Sequence, residues 1–239
     1  MSNQISYRNA VSDINTHHSP LTAHHSPRVH LLITSGPTRQ YLDAVRYLTN
    51  ASSGRMGKAL AEAALALGHT VTIVSGPVDV VYPSAAKVVP VVSTEEMLEA
   101  CQSAFPLCDG LIAAAAPCDY RPVRVEPGKI HKTGQPLELN LVETPDIVAA
   151  LAQIKRHQWM VGFALETEDQ RYRALAKLER KSCDLMVING PEAMDAADNR
   201  VEILNRAGEV LATTSGPKEQ VARDILAVIQ RELIAPRER

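Results

Sequence analysis

The stretch LLITSGPTRQYLDAVRYLTNASSGRMGKALAEAALALGHTVTIVSGP, residues 31–77, opens like the strand–turn–helix of a dinucleotide-binding unit and then departs from it. A strand-like run, Leu31-Leu32-Ile33-Thr34, reaches the Gly36-Pro37 turn, but the helix due there is delayed until about Gly54. From that point Met56, Leu60, Ala63, Ala64 and Leu67 recur at helical spacing, and Gly68 supplies a C-terminal stop. The residues in between, ending in Asn50-Ala51-Ser52-Ser53-Gly54, therefore follow the carboxyl end of a buried strand. Open α/β sheets bind their ligands beyond that end.

Beyond this segment, short β-branched runs continue to alternate with helical patterns. Strands are expected over 29–34, 70–75, 87–92, 109–116, 159–163 and 185–188, and helices over 54–67, 94–104, 145–154, 168–182 and 216–234. The alternation predicts an α/β, Rossmann-like fold, a mostly parallel sheet with helices on both faces. Residues 201–204 and 209–212 flank Asn205-Arg206-Ala207-Gly208 and predict an antiparallel hairpin at the C-terminal edge. Residues 1–28 are polar, repeat His-His-Ser-Pro at 17–20 and 24–27, and read as a disordered tail before one domain over 29–239. No protein metal site is expected there, because nothing in the tail fixes a coordination geometry.

Composition narrows the partners. With 25 basic and 27 acidic residues the net charge is −2, so no broad field draws the chain to nucleic acid or to a membrane surface. No apolar run approaches the roughly 18 residues of a membrane span. Cys101, Cys108, Cys118 and Cys183 form no C-x-x-C pair and follow no secretory signal, which reads as reduced thiols in a cytoplasmic protein. Cys118 lacks an identifiable His and Asn or Asp set to activate it, so packing is the expected role.

The polar residues after each strand carry the candidate chemistry. After the first come Gly36, which permits close backbone approach, and Thr38 with Arg39, a hydroxyl and a fixed cation suited to phosphate oxygens. Ser-Gly-Pro recurs at 75–77 and 215–217, where an ordinary turn is expected. Ser52, Ser53 and Gly54 open a helix whose free N–H groups form an anion site, or alternatively a serine caps them. Asn50 is able to orient a carboxylate or acyl group, or is a turn residue. The run from Asp109 to Ala116 reads as a central strand whose alanines leave room for a flat ligand. Asp119, just beyond it, is placed to recognise a base or ribose, or to pair with Arg121 or Arg124. The loop from Pro117 to Gln135 is longer than an ordinary connection and carries Lys129 and Lys132, while Lys177 and Lys181 lie one helical turn apart. Each lysine is either a solvated surface charge or part of a triphosphate site.

Taken together, SGPTR (35–39) and DAVRYLTNASSGRMG (43–57) resemble the signature of phosphopantothenoylcysteine synthetase, the phosphopantothenate–cysteine ligase of coenzyme A biosynthesis. Ala113 to Arg121, Lys129-Ile130-His131-Lys132, Pro145 to Val148, Gly162-Phe163 with Glu166-Thr167, Lys177 with Lys181, and Asp184 to Asn189 match in order, so the resemblance covers residues 29 to about 235. It implies that the carboxylate of 4′-phosphopantothenate attacks the α-phosphate of a nucleoside triphosphate. Pyrophosphate leaves, and the amine of cysteine then displaces the nucleoside monophosphate. By matching position, Asn50 holds the acyl group and Lys129 stabilises phosphate charge. Gly36, Ser53, Gly54, Ala113, Ala114, Ala115, Asp119, Lys129, Pro145, Asp146, Ile147, Val148, Phe163, Lys177 and Lys181 are implied to surround the nucleotide. That nucleotide is CTP in bacterial-type members, with ATP as the alternative, and Mg²⁺ arrives on the triphosphate.

The resemblance also implies a homodimer with exchanged strands near the site and a loop from Pro117 to Gln135 that closes over it. Many bacterial members carry this domain behind a flavin-dependent decarboxylase. Here a short polar tail precedes it, so no flavin and a separate decarboxylase downstream are expected. Pro117-Cys118 and His131 stand where other members often have small apolar residues and lysine, which leaves nucleotide choice open. The competing readings are an NAD(P)-dependent reductase and a non-catalytic nucleotide-binding subunit. The first predicts G-x-G-x-x-G soon after the first strand, and that motif is absent. Asn50 and Lys129 together count against the second.

Overall fold

The computed structural model describes residues 27–165, 170–189 and 198–235. The expected tail up to residue 26, Glu166-Thr167, and the first two residues of the helix expected over 168–182 lie outside the described residues.

Among the described residues, twelve strands and five α-helices follow in the order β1 (His30–Ser35), β2 (Arg39–Tyr41), β3 (Tyr47–Thr49), α1 (Arg55–Ala66), β4 (Thr70–Ser75), β5 (Lys87–Pro90), α2 (Thr94–Ala104), β6 (Gly110–Ala113), β7 (Tyr120–Pro122), β8 (Leu141–Glu143), α3 (Ile147–Ile154), β9 (Trp159–Leu165), α4 (Gln170–Arg180), β10 (Leu185–Asn189), β11 (Asp198–Asn205), β12 (Val210–Pro217) and α5 (Lys218–Ile229). Eight strands form one sheet in the order β12-β11-β10-β9-β6-β1-β4-β5. The six strands from β10 to β5 are parallel neighbours, whereas β11 and β12 add an antiparallel edge. The expected Rossmann-like class and hairpin edge are both present.

Strand alternation explains the two cores. Leu31 and Ile33 of β1 point to the face covered by α1 and α5, with Val71, Ile73, Val161, Val187 and Ile225. Leu32 points to the other face, among Met97, Phe105, Leu111, Leu151, Met160 and Leu178 of the layer containing α2, α3 and α4. A parallel strand buried on both sides needs no polar alternation, which is why Leu31-Leu32-Ile33 run on without a polar break. On the α1 and α5 face, Gly110 leaves room for Trp159, because a Cβ there would lie 2.2 Å from the Trp159 ring.

Helix ends follow local chemistry. Ser93 and Glu96 close a capping box at α2, and Asp146 Oδ1 accepts from Ala149 N at 3.1 Å to cap α3. That cap starts α3 two residues later than the expected 145. Gly68, at φ +84°, ends α1 with His69 N donating to Ala64 O at 3.1 Å. The helix expected over 216–234 starts instead at Lys218, because β12 runs to Pro217, and passes into a π-helical turn over Gln230–Ile234.

Two small antiparallel ribbons were not foreseen. β2 pairs with β3, and β7 with β8, each over three residues. The strand expected to 116 also ends early, at Ala113. Ala115 N instead donates to Thr34 Oγ1 at 3.2 Å and Ala116 N to Gly36 O at 2.9 Å, so the alanines peel off the sheet and cross the end of β1.

Candidate active site

Strand order reverses at β1: the chain proceeds to β4 and β5 on one side, then returns to β6 on the other. A crevice at the carboxyl ends is the geometric result. Here it is a cavity of about 1130 Å³ lined from Thr34, Asn50 to Gly57, Ala113 to Tyr120, Glu143 to Val148, Gly162 to Leu165, Asn189 and the α4 cations. A pocket for one drug-sized ligand occupies about 300–1,000 Å³. This one has room for a nucleotide and a second substrate.

One wall is the start of α1. Its N-cap is Gly54, at φ +74°, with no side-chain cap and no acidic residue in the first turn. Neither Ser52 nor Ser53 caps the helix, so the capping alternative fails and the first-turn N–H groups are left for an anion at the positive end of the helix dipole. The support beneath is polar and satisfied. Ser35 Oγ donates to Gly54 O at 3.2 Å, Tyr82 OH donates to Ser35 Oγ at 2.9 Å, and the Tyr82 and Ser75 hydroxyls are 2.8 Å apart. Gly57 is required here because a Cβ would lie 2.1 Å from Ser35 Oγ.

The floor is the peeled alanine segment, held from below. Asn50 Nδ2 donates to Pro117 O at 2.8 Å and Cys118 N donates to Thr38 Oγ1 at 2.8 Å. Cys118 O accepts from Thr94 Oγ1 at 3.1 Å and from Thr144 Oγ1 at 2.7 Å. Thr38 is thus fully buried and structural, and the Arg39 guanidinium stacks over the Tyr47 ring at 4.5 Å. Neither lines the cavity, contrary to the phosphate role their sequence position suggested. All four thiols are buried; Cys118 Sγ donates to Tyr120 O at 3.2 Å, and burial pushes Cys101 up to about 12 and Cys108 and Cys183 up to about 11.

The opposite wall is cationic. Lys177, Arg180 and Lys181 line it, and Asp146 Oδ2 lies 3.1 Å from Lys181 Nζ and 4.0 Å from Arg180, tying the start of α3 to the end of α4. Asp119 pairs with neither candidate arginine: Arg121 reaches Glu95 at 3.0 Å and Arg124 reaches Glu126 at 3.9 Å. The Asp119 backbone oxygen accepts from Thr144 N at 2.9 Å, joining the two sides of the floor.

Asn50, Ser53, Gly54, Ala113, Ala114, Ala115, Asp119, Pro145, Asp146, Ile147, Val148, Phe163, Lys177 and Lys181 therefore meet in one cavity. Two expected residues do not line it. Gly36 lies behind the floor at φ +77°, where a Cβ would come within 2.6 Å of Val78 Cγ1. Lys129 is exposed on the loop between β7 and β8. Arg55, Arg180, Lys218 and Asn189 line the cavity without having been expected. Arg180 shares a helical face with Lys177 and was legible from spacing alone. Lys218 follows the third Ser-Gly-Pro, which leads β12 into the cleft rather than making an ordinary turn. The second Ser-Gly-Pro is also no ordinary turn: Gly76 N donates to Ser35 O at 3.0 Å, and a Cβ at Gly76 would lie 1.6 Å from Pro37 O.

Beside the cavity, the turn between β2 and β3 meets the loop that carries Lys129. Asp43 is buried, and its carboxylate accepts from Val45 N at 2.7 Å, Arg46 N at 2.6 Å, the Arg46 guanidinium and Ile130 N at 3.0 Å. Burial pushes its pKa up, but the hydrogen bonds outweigh this and hold the carboxyl well below the usual carboxylate range. Among the described residues no helix is long and apolar enough to cross a membrane, and no group of three His, Cys, Asp or Glu side chains is placed to hold a metal.

Comparison with known proteins agrees with this architecture. The chain is 40% identical over 206 residues to a protein named cysteine/cysteine sulfinic acid decarboxylase from an unknown prokaryotic organism, covering 83% of this chain and 57% of that one. It is 39% identical over 207 residues to the coenzyme A biosynthesis bifunctional protein CoaBC of Vibrio vulnificus (strain YJ016), covering 84% and 51%. The chain thus spans about half the length of these curated relatives. The crystal structure of the C-terminal domain of a CoaBC protein superposes with a TM-score of 0.74 at 36% identity, covering 87% of this chain and 97% of that one. Residues 27–233 match the model of the DNA/pantothenate metabolism flavoprotein C-terminal domain, and the chain belongs to that family.

Proposed function

We propose that the protein is a ligase joining 4′-phosphopantothenate to L-cysteine through an acyl-nucleotide, with CTP as cosubstrate. The observation that carries this reading is the junction of three features in one cavity: an uncapped helix start, an alanine floor, and the Lys177–Lys181 wall. A free carboxylate is a poor electrophile, and joining it to the α-phosphate gives it a leaving group. The protein's part is to bring two anions together and neutralise them.

In this reading the alanines at 113–115 and Phe163 flank the base, and Asp119 takes the ribose. The backbone of Pro145 to Val148 supports the nucleotide, and Lys177 and Lys181 meet its phosphates. Gly36 acts through the floor it shapes. Asn50 is already fixed by its bond to Pro117 O and presents its amide to the acyl group. Lys129 reaches in from the loop as pyrophosphate and then the nucleoside monophosphate depart. Mg²⁺ enters as the counter-ion of the triphosphate substrate. The second step forms the amide C–N bond, breaks the acyl–phosphate bond, and releases CMP together with the proton of the attacking amine.

The loop and its ribbon are the proposed homodimer surface, because Val123, Val125, Leu137, Leu139 and Leu141 are exposed along one arm of this chain. A cytoplasmic location and a decarboxylase activity that consumes the product complete the proposal. The test is to incubate the protein with phosphopantothenate, cysteine, Mg²⁺ and each nucleotide in turn, measuring pyrophosphate and the cysteine adduct. Adduct formed best with CTP is expected, and no turnover with any nucleotide rejects the ligase.

A further inference from the structure

Asp43 lies outside the cavity and no substrate role falls to it, yet it is the most heavily hydrogen-bonded carboxylate next to the loop. A buried carboxylate must be compensated, and an Asx turn alone achieves this with one oxygen. Oδ1 does that work, accepting from Val45 N and Arg46 N within its own turn. Oδ2 is directed elsewhere: it accepts from Ile130 N at 3.0 Å and from the Arg46 guanidinium. Arg46 Nη1 also donates to Ile130 O at 3.1 Å, so the residue immediately after Lys129 is held at both its N–H and its C=O. On the other side of Lys129, Glu126 N donates to Leu42 O at 2.9 Å. Pro127, Gly128 and Lys129 form a short span between two anchors on one turn.

The same turn links β2 to β3, and β3 ends at Thr49, one residue before Asn50. A single carboxylate therefore sets the loop bearing Lys129 against the ribbon leading to Asn50. We propose that Asp43 is a positioning residue: by pinning Ile130 to the β2–β3 turn it fixes the base from which Lys129 reaches the cavity. The proposal rests on the ligase reading of Lys129.

Asp43→Asn tests it with selectivity. The two turn amides hold the remaining carbonyl oxygen at the Oδ1 position, so the new NH₂ faces Ile130 N–H and the guanidinium, and the loop is released while the turn persists. Amide hydrogen exchange across 126–132 is expected to rise at least about tenfold, with exchange in β1 and α1 unchanged. Turnover is expected to fall at least about tenfold with the nucleotide KM within about threefold, because the affected group acts on departing charge rather than on binding. Adding Lys129→Gln to Asp43→Asn is expected to cost little beyond Lys129→Gln alone.

Unchanged loop exchange overturns the anchor, and raised exchange with full turnover, or losses that multiply in the double variant, overturns the positioning role. If Asp43→Asn does not fold, Ile130→Pro removes the loop's donor, together with the Ile130 side chain and some backbone freedom at Lys129, and leaves the turn intact. It is expected to reproduce the exchange and turnover changes, and wild-type behaviour in both overturns the proposal. If the wild-type protein itself makes no adduct, the ligase reading fails on its own account, and the exchange measurement alone decides whether Asp43 anchors the loop.

Discussion

The wall at the start of α1 and the arm from Pro117 to Glu143 border the same cavity, and different things hold them. Under the wall, the buried Ser35 and Ser75 and the half-buried Tyr82 form a hydroxyl chain, and Gly54, Gly57 and Gly76 are packed so closely that a Cβ at any of them would come within 3 Å of a neighbour. Along the arm, residues 123–129 are exposed, a Cβ at Gly128 or Gly134 would meet nothing within 4 Å, and the chain is fastened at its base through Glu126, Ile130 and the β7–β8 ribbon. The wall suits a group that binds in one place, the arm a charge that has to follow a leaving group. Changes in the arm should therefore alter turnover without altering stability, and changes in the wall should do the reverse.

The largest effect is expected at Lys129. Lys129→Gln should reduce pyrophosphate release by about 10²-fold or more, the scale of removing one group that stabilises developing charge, while the melting temperature stays unchanged. Lys87→Gln, at the exposed start of β5, is the matched control for loss of one lysine and should retain full activity. Equal activities of the two variants would remove the role given to Lys129.

Asn50 stands between the two regions, since its amide reaches from the end of the β2–β3 ribbon to Pro117 O in the floor. Asn50→Ala removes that bond together with the proposed hold on the acyl group. A fall in turnover of about 10–100-fold is expected, with a stability loss of about 1 kcal/mol for one hydrogen bond, measured by steady-state kinetics and thermal unfolding. A stability loss alone would return Asn50 to the turn residue that its sequence position also allowed.

How much of this was legible in sequence follows the same division. The apolar run of β1 and the periodicity of α1 are local signals, and each lies where it was expected apart from its end residues, whereas of the run from Asp109 to Ala116 only Gly110–Ala113 stays in the sheet. The cavity residues after those strands were legible for the same reason, because a sheet delivers all its carboxyl ends to one side. What was missed depends on partners distant in sequence. The alanine segment leaves the sheet because Thr34 Oγ1 and Gly36 O accept its N–H groups. Thr38 turns inward because Thr94, 56 residues away, meets its hydroxyl. The two ribbons are three residues per strand, too short for a period to register.

A change in the wall should show the opposite signature to Lys129→Gln. In Gly57→Ala the new Cβ would lie 2.1 Å from Ser35 Oγ and 2.5 Å from Ser35 Cβ. Overpacking of this kind costs about 1–3 kcal/mol, or a fall of several degrees in melting temperature. Because relief requires α1 to shift at its N-terminus, the nucleotide KM should rise while turnover at saturation changes little. Lower turnover at saturation with an unchanged KM would mean that the wall takes part in the chemical step.

The smallest effect is expected at Ser182, on the far side of the cationic wall. It follows α4 at φ +48°, the one non-glycine residue with positive φ among the described residues, and there Cys183 N donates to Leu178 O at 3.0 Å and Ser182 N to Glu179 O at 3.0 Å. That pairing ends a helix with a left-handed residue, a position glycine adopts without steric cost. Ser182→Gly keeps the backbone oxygen that accepts from Lys155 Nζ at 3.0 Å and from Arg206 Nη2 at 3.2 Å. Relief of the strained φ is partly offset by the greater entropy of glycine in the unfolded chain, so a gain of about 0.5 kcal/mol is expected. Lys181 is the neighbouring residue, so the nucleotide KM reports whether the wall is as rigid as its ion pair with Asp146 implies. An unchanged KM with a slightly higher melting temperature keeps rigidity and binding together in the wall, whereas a KM raised several-fold would mean that Lys181, like Lys129, depends on how its backbone is held.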